Sequence, residues 1–325
     1  MLFSHLAGNN QAKALLQQLL ISNKDSHVLL FTGQKGVGKK IFARSFAAAL
    51  LGERHSKKVL ADMHPDVIWL KPEGKLYMHS IASIEQMTGE ASLSPFEATK
   101  KIYILDDADR MLPFSSNALL KILEEPPSHV SFILLTAHEE LVLPTITSRC
   151  SKIPFFPISE EEIAQKLIEQ GKDEEEAKNT ALLSQGSFSL ALKLLEKSED
   201  PVHVYTLSLL RSFFLTSSSA SFLEMLESIE KLCDADEEEG KVVYAVERIL
   251  EDIFYWLRDL HYRRVDPNAK HLFFQKEHPQ IPEKLPSLES AFLFLEEAKV
   301  ALQRSIRPKI VLERLLNRLV IASRV

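Results

Sequence analysis

Hydrophobic positions along this chain follow two rhythms. In the first half, short continuous apolar runs alternate with longer stretches in which apolar residues recur at helical spacing. The short runs are Val28–Thr32, Val67–Leu70, Lys101–Leu105 and Val130–Thr136. Each has the length and continuity of a strand buried on both faces. Helical patterns lie between them, which predicts a parallel sheet covered by helices on both sides. From about residue 203 onward the helical pattern repeats without any strand rhythm.

The transition is marked by prolines. Pro154 and Pro157 bracket a short apolar exit, Ile153-Pro154-Phe155-Phe156-Pro157. Ser159 then opens a helix, and Glu162 three residues later gives the spacing of a capping box. The helical unit that follows is broken at Gln185-Gly186-Ser187. The expected division is an α/β domain over residues 1–157, a small helical domain over 158–202 and an all-helical domain over 203–325. The acidic run from Asp234 to Gly240 reads as a loop or a helix start.

Gly33-Gln34-Lys35-Gly36-Val37-Gly38-Lys39-Lys40 changes the picture from fold to chemistry. It follows an apolar strand and precedes a helix closed by Gly52, the setting of a phosphate-binding loop. The G-x-x-x-x-G-K-[ST] pattern uses Gly33, Gly36 and Gly38 to bring backbone N–H groups around phosphates, and Lys39 to reach the terminal ones. Its last position holds Mg²⁺ through a hydroxyl. Here that position is Lys40, and an ammonium group cannot ligate a metal. The loop is that of a nucleotide-driven machine altered at the step hydrolysis requires. ATP or ADP binding without turnover stays open, and no cofactor is required.

Two further strands end in polar groups. Lys101–Leu105 runs into Asp106 and Asp107, where P-loop proteins organise Mg²⁺ and polarise the attacking water. Asp107 is one methylene shorter than a glutamate base, and both acids could equally cap the next helix. Val130–Thr136 ends in the hydroxyl of Thr136, at the place of a γ-phosphate sensor. Ser148-Arg149-Cys150 follows. Its arginine reads either as a surface ion pair or as a group inserted into a neighbouring subunit's site.

Composition adds limits. At 325 residues the chain can bury a large core in two or three domains. A net charge of −6 does not suit a nonspecific nucleic-acid binder. Two cysteines, Cys150 and Cys233, make neither a disulfide framework nor a four-cysteine zinc site, and they suit a reducing cytoplasm. No apolar stretch reaches the ~18 residues of a membrane span. The N-terminal Met1-Leu2-Phe3-Ser4-His5-Leu6 has no basic segment ahead of an apolar one, so no signal peptide is expected.

Four segments in order, 33–40, 104–109, 117–127 and 147–150, together resemble the bacterial DNA polymerase III clamp-loader ATPases of the AAA+ class. Asn117-Ala118-Leu119-Leu120-Lys121-Ile122-Leu123-Glu124-Glu125-Pro126-Pro127 matches their N-A-L-L-K-x-L-E-E-P-P signature most specifically. Thr147-Ser148-Arg149-Cys150 matches their S-R-C motif, and His64-Pro65-Asp66 a further fixed point. The resemblance is strong over about residues 1–200. It implies a P-loop AAA+ domain, a helical lid and an all-α collar. It also implies an arginine finger at Arg149 acting on a neighbouring motor subunit. The expected partners are the gamma/tau motor subunits, the delta subunit, the sliding clamp and primed DNA.

Ser115, Ser116 and Asn117 would begin a DNA-facing helix, with Ser115 as N-cap and contacts to the phosphate backbone. Departures from the family indicate a non-motor member: Lys40 at the metal position, and Ser189 where motors place a phosphate-sensing arginine. Residues 51–63 lack the cysteines of the zinc module that many members carry, so no zinc is expected. Two other readings remain at this point. One is a working ATPase in which Thr32 or Ser45 supplies the missing hydroxyl. The other is a P-loop small-molecule kinase, which leaves residues 117–127 and 148–150 unexplained.

Overall fold

The computed structural model describes residues 3, 5–22, 27–73, 77–196, 206, 210, 241–267, 269, 272–274, 284–304 and 306–324. The chain forms two compact units, Met1–Glu73 with Met78–Lys193, and Gly74–Tyr77 with Leu194–Val325.

The first unit is built on a five-stranded parallel sheet in the order β2-β3-β4-β1-β5. β1 (Val28–Thr32), β2 (Val67–Leu70), β3 (Lys101–Leu105) and β4 (Val130–Thr136) are the four apolar runs of the sequence. β5 (Ser151–Pro154) is a strand that the apolar pattern did not announce. Ser151 and Lys152 are exposed, so no continuous apolar run marks it. Pro154 suggests a break, yet at the edge of a sheet a residue without an N–H is tolerated.

Alternate residues of each strand face opposite sides. Leu29, Phe31, Ile102, Ile104, Ile133 and Leu135 join Phe3, Leu16, Phe42 and Phe46 in one apolar layer. That layer lies under α1 (Asn10–Ser22) and α2 (Lys39–Leu51). Val28, Leu30, Tyr103, Leu105, Phe132 and Leu134 join Ile84, Leu119 and Leu123 in the other. Here the cover is α4 (Ile81–Ala91) and α5 (Pro113–Glu124), while α3 (Glu53–Leu60) follows α2 directly and α6 (Pro144–Thr147) is a single turn before β5. β4 is buried along its whole length. Truncating one of its leucines to alanine costs about 2–5 kcal/mol.

The helices after Pro157 belong to the same unit as far as Lys193: α7 (Glu160–Glu169), α8 (Glu174–Leu183) and most of α9 (Phe188–Glu196). Ser159 caps α7 by accepting the Glu162 N–H at 3.2 Å. Its hydroxyl also meets the Glu162 carboxylate at 3.4 Å. Asp173 caps α8 through the Glu175 and Glu176 N–H groups.

In the second unit the described elements are helical: α10 (Lys241–Val265), α11 (Leu288–Gln303) and α12 (Pro308–Arg324). Trp256, Leu257, Leu260, Leu295, Leu312 and Leu319 are buried among them. The acidic run Asp234 to Gly240 and Cys233 lie outside the described residues. Among the described residues, no helix is long and apolar enough to cross a membrane.

Candidate functional site

The loop at 33–40 joins β1 to α2, and its glycines are fixed by what surrounds them. Gly33 has φ 141°, and a Cβ there would lie 2.2 Å from the Phe155 carbonyl oxygen. Gly36 has φ 83°, and a Cβ would come within 1.9 Å of the Ser187 hydroxyl. Gly38, at φ 103°, is the N-cap of α2 and offers no side chain to its N–H groups. Lys39 folds back into the loop. Its ammonium donates to the Gly33 carbonyl and, at 2.8 Å, to the Gln34 carbonyl. Burial lowers its pKa to about 8, against the attraction of Asp107, Asp109 and Asp106.

Lys40 turns the other way. Its ammonium pairs with the Oδ2 of Asp106, whose side chain is almost wholly buried. Burial raises the Asp106 pKa and the charge of Asp107 adds to that, while Lys40 opposes both. Asp107 itself has φ 46°, a left-handed conformation, and opens a 3₁₀ turn over Ala108–Arg110. Mg²⁺ takes oxygen ligands in near-octahedral geometry. Here the loop position that should supply an oxygen supplies a cation, and that cation sits on the carboxylate. The residues present do not fit a magnesium–nucleotide complex. Neither substitute hydroxyl occupies the required place, since Thr32 precedes the loop on β1 and Ser45 is buried in the second turn of α2.

Thr136 is also engaged. Its hydroxyl donates to Asp109 Oδ1 at 2.6 Å and accepts the His138 N–H at 3.0 Å. The one proton that could meet a phosphate oxygen ties β4 to the 3₁₀ turn after β3 instead.

The helices after Pro157 rest directly on the loop. The Ser189 N–H donates to the Gly36 carbonyl at 3.3 Å, and Gln34 Nε2 donates to the Gln185 carbonyl at 3.0 Å. Ser187 accepts the Leu190 N–H at 3.2 Å and so caps α9. The segment around Ser189 thus reaches the phosphate loop through backbone contacts, with an exposed serine in place of a long cation. A third tie was missed in the sequence. Asn9, at φ 55°, donates through Nδ2 to the Val37 carbonyl at 3.2 Å and accepts the Phe156 N–H at 2.7 Å. The signal was the Gly8-Asn9 pair ahead of a helix, two residue types that tolerate the left-handed region.

α5 begins earlier than expected. Leu112 is the N-cap and Pro113 the first helical residue, the position proline favours. Ser115 therefore lies inside the helix and not at its cap. It is fully buried and donates to the His79 carbonyl at 2.9 Å, and Ser116 is buried beside it. Both serines are buried, so neither is open to a phosphate. Asn117 is exposed.

Arg149 follows α6 at the start of β5, about one third exposed. One terminal nitrogen donates to the Thr145 carbonyl at 2.7 Å, and the other to Glu124 Oε1 at 2.6 Å. Cys150 donates to the Ile146 carbonyl, and burial pushes its thiol up to about 12, so it is not a nucleophile.

The His64-Pro65-Asp66 segment is an anchor. The Asp66 carboxylate accepts N–H groups of Phe96, Glu97 and Ala98 at 2.5, 2.8 and 2.8 Å. Burial alone would raise its pKa, but the three donors outweigh that and hold it below the ordinary carboxylate value. His55, His64 and Glu97 form the one group of potential metal ligands among the described residues. His64 Nδ1 accepts the Asp66 N–H at 3.1 Å, which leaves the proton on Nε2, donated to His55 Nδ1 at 2.8 Å. A nitrogen that keeps its proton has no lone pair to give a metal.

Known proteins resemble this chain mainly over its first half. The model of the family described as "DNA polymerase III, delta subunit" matches residues 8–159. The DNA polymerase III subunit delta′ of Bacillus subtilis is 35% identical over 166 residues, 48% of this chain and 50% of that one. The tau subunit of the same organism is 30% identical over 176 residues, 51% of this chain and 31% of that one. The chain therefore spans half or less of the length of these relatives. Among solved structures, a DNA polymerase III gamma subunit-related protein from Thermotoga maritima aligns over 97% of this chain and 100% of its own, at 19% identity and a TM-score of 0.43. The α/β P-loop AAA+ assignment rests on the sheet order and the loop themselves. Over residues 8–159 the chain is thus similar to subunits of the DNA polymerase III clamp loader, with its delta′ likeness confined to that half.

Proposed function

We propose that this chain is a non-motor subunit of the DNA polymerase III clamp loader. In this reading it works in the cytoplasm beside gamma/tau motor subunits and a delta subunit, and helps place a sliding clamp on primed DNA. The observation that carries the reading is the Lys40–Asp106 ion pair. It neutralises the carboxylate that would hold a metal and leaves no oxygen ligand at the loop position meant to supply one. The engaged hydroxyl of Thr136 and the serine at 189 support it.

Arg149 is what such a subunit still offers. It sits at the domain edge, partly exposed, with a guanidinium fork suited to phosphate oxygens. In this reading it acts in trans on the nucleotide of an adjoining motor subunit, where such a group is worth about 10³-fold or more in rate. Contact between α5 and DNA falls to Asn117, the exposed residue beside the buried Ser115 and Ser116, and is directed at backbone and not bases.

Two measurements test the proposal together. The isolated chain should show no ATP turnover above background. In a complex reconstituted with motor subunits, Arg149→Ala should assemble normally and slow DNA-stimulated hydrolysis at the adjoining site. Turnover by the chain alone, or an unchanged rate in the Arg149→Ala complex, overturns the corresponding half.

A further inference from the structure

We propose that Glu124 is a positioning residue for Arg149, an inference that rests on the trans-acting role of that arginine given above. The segments 117–127 and 147–150 are separate in sequence but meet in one contact. Glu124, the last residue of α5, takes a guanidinium N–H of Arg149 at 2.6 Å, and the Thr145 carbonyl takes another at 2.7 Å from the opposite terminal nitrogen.

An arginine has five N–H donors in a planar fork. Two acceptors fix the plane and direction of that fork, and three donors remain for a phosphate. Without them the side chain, held only by a one-turn helix at the domain edge, would sample many rotamers. The backbone that carries Glu124 is itself fixed. Pro126 and Pro127 follow its C-cap neighbour Glu125 and stop α5 from continuing, and the Val130 N–H bonds the Pro127 carbonyl at 2.8 Å, which locks the turn into β4. The negative end of the α5 dipole lies at the same place and adds to the attraction for a cation. Lys at 149 could form the ion pair but could not hold a plane.

The arrangement also gives the acidic pair before the two prolines a division of labour. Glu124 reaches Arg149, while the following residue, Glu125, already has a non-helical backbone at the C-cap. The role of Glu124 is orientation. It does not touch the nucleotide, and its loss should lower the rate of the chemical step without weakening ATP binding.

The test uses the reconstituted clamp-loader complex, with hydrolysis confined to the adjoining motor site by inactivating the other motor loops. Glu124→Ala should lower kcat about 10–100-fold, the cost of misplacing a catalytic group by about 1 Å, and leave KM within about twofold. Glu124→Gln keeps an acceptor oxygen at the same reach and should restore most of the rate. Arg149→Ala combined with Glu124→Ala should be no slower than Arg149→Ala alone. If Arg149→Ala slows hydrolysis and Glu124→Ala does not, the positioning role fails while the arginine's own role stands. If neither variant changes the rate, both fail. A Glu124→Gln complex as slow as Glu124→Ala, or a further loss in the double variant, also overturns the proposal, because Glu124 would then act by charge alone or independently of Arg149.

Discussion

The ammonium of Lys40 lies on the carboxylate of Asp106, at the junction of the phosphate loop and the end of β3. The pair joins two elements that in a working P-loop enzyme are joined by a metal. A side chain that is covalently part of the protein supplies the positive charge at that junction.

Magnesium dependence follows directly. ATP binding by the isolated chain, measured by calorimetry, should be weak and should not improve when EDTA is replaced by millimolar Mg²⁺. Lys40→Thr should create a magnesium-dependent increase in affinity without turnover, since Thr136 and Ser189 are unchanged. Magnesium-enhanced binding by the unaltered chain would show that the site still holds a metal.

Residual phosphate affinity should depend on pH through Lys39. With its pKa lowered to about 8 by burial, the ammonium is charged at pH 7 and mostly neutral at pH 9. Affinity for metal-free ATP should therefore fall as pH rises through 8. Lys39→Met should bind weakly at every pH. An unaltered chain with equal affinity at pH 7 and pH 9 would exclude Lys39 as the phosphate ligand.

Gly36→Ala should loosen the helices that rest on the loop. The left-handed backbone costs an L-residue about 1–2 kcal/mol. In addition, the new methyl would overlap the Ser187 hydroxyl, 1.9 Å from the Cβ position. Hydrogen exchange should speed up at the start of α9, including the Ser189 amide, with little change in β4. Exchange at α9 identical to the unaltered chain would mean that the loop and α9 are not held together in solution.

Asp66→Asn should destabilise the first unit by about 2–4 kcal/mol at neutral pH, because an amide cannot accept all three N–H groups. The sign of the pH effect follows from the lowered pKa. Stability is present above the ordinary carboxylate value, near 3.8, and is lost as pH falls through the lower folded value. Chemical denaturation between pH 7 and pH 3 should show a shallower acid loss in the variant. Parallel curves would assign the acid sensitivity to other carboxylates.

Apolar periodicity was enough for β1 to β4, since each is a continuous apolar run, deeply buried in β1, β3 and β4 and partly buried at the β2 edge. β5 was not legible, because an edge strand with two exposed residues and a proline carries little apolar pattern. The start of α5 was misplaced for a local reason. Ser115 is a good N-cap type, but Pro113 fixes the first helical residue two positions earlier and turns both serines inward. At the candidate site, residue identities at 33–40 and 104–109 announced the phosphate loop and its carboxylates. Partners were invisible: that Lys40 would reach Asp106, that Thr136 would donate to Asp109, and that Arg149 would meet Glu124 all depend on β3, β4 and β1 lying side by side.

β5 has a consequence beyond closing the sheet edge. It runs from just after Arg149 to the residue before Phe155, whose carbonyl leaves room at Gly33 for hydrogen alone, and Ser187 sets the same limit at Gly36. Both glycines are thus demanded by neighbouring protein atoms, with no phosphate in the argument. Nucleotide aside, the loop is the mount to which an edge strand and a helical cap are bolted. The glycine signature by itself then testifies to a joint in the scaffold, and only the side chains at 39 and 40 speak to chemistry.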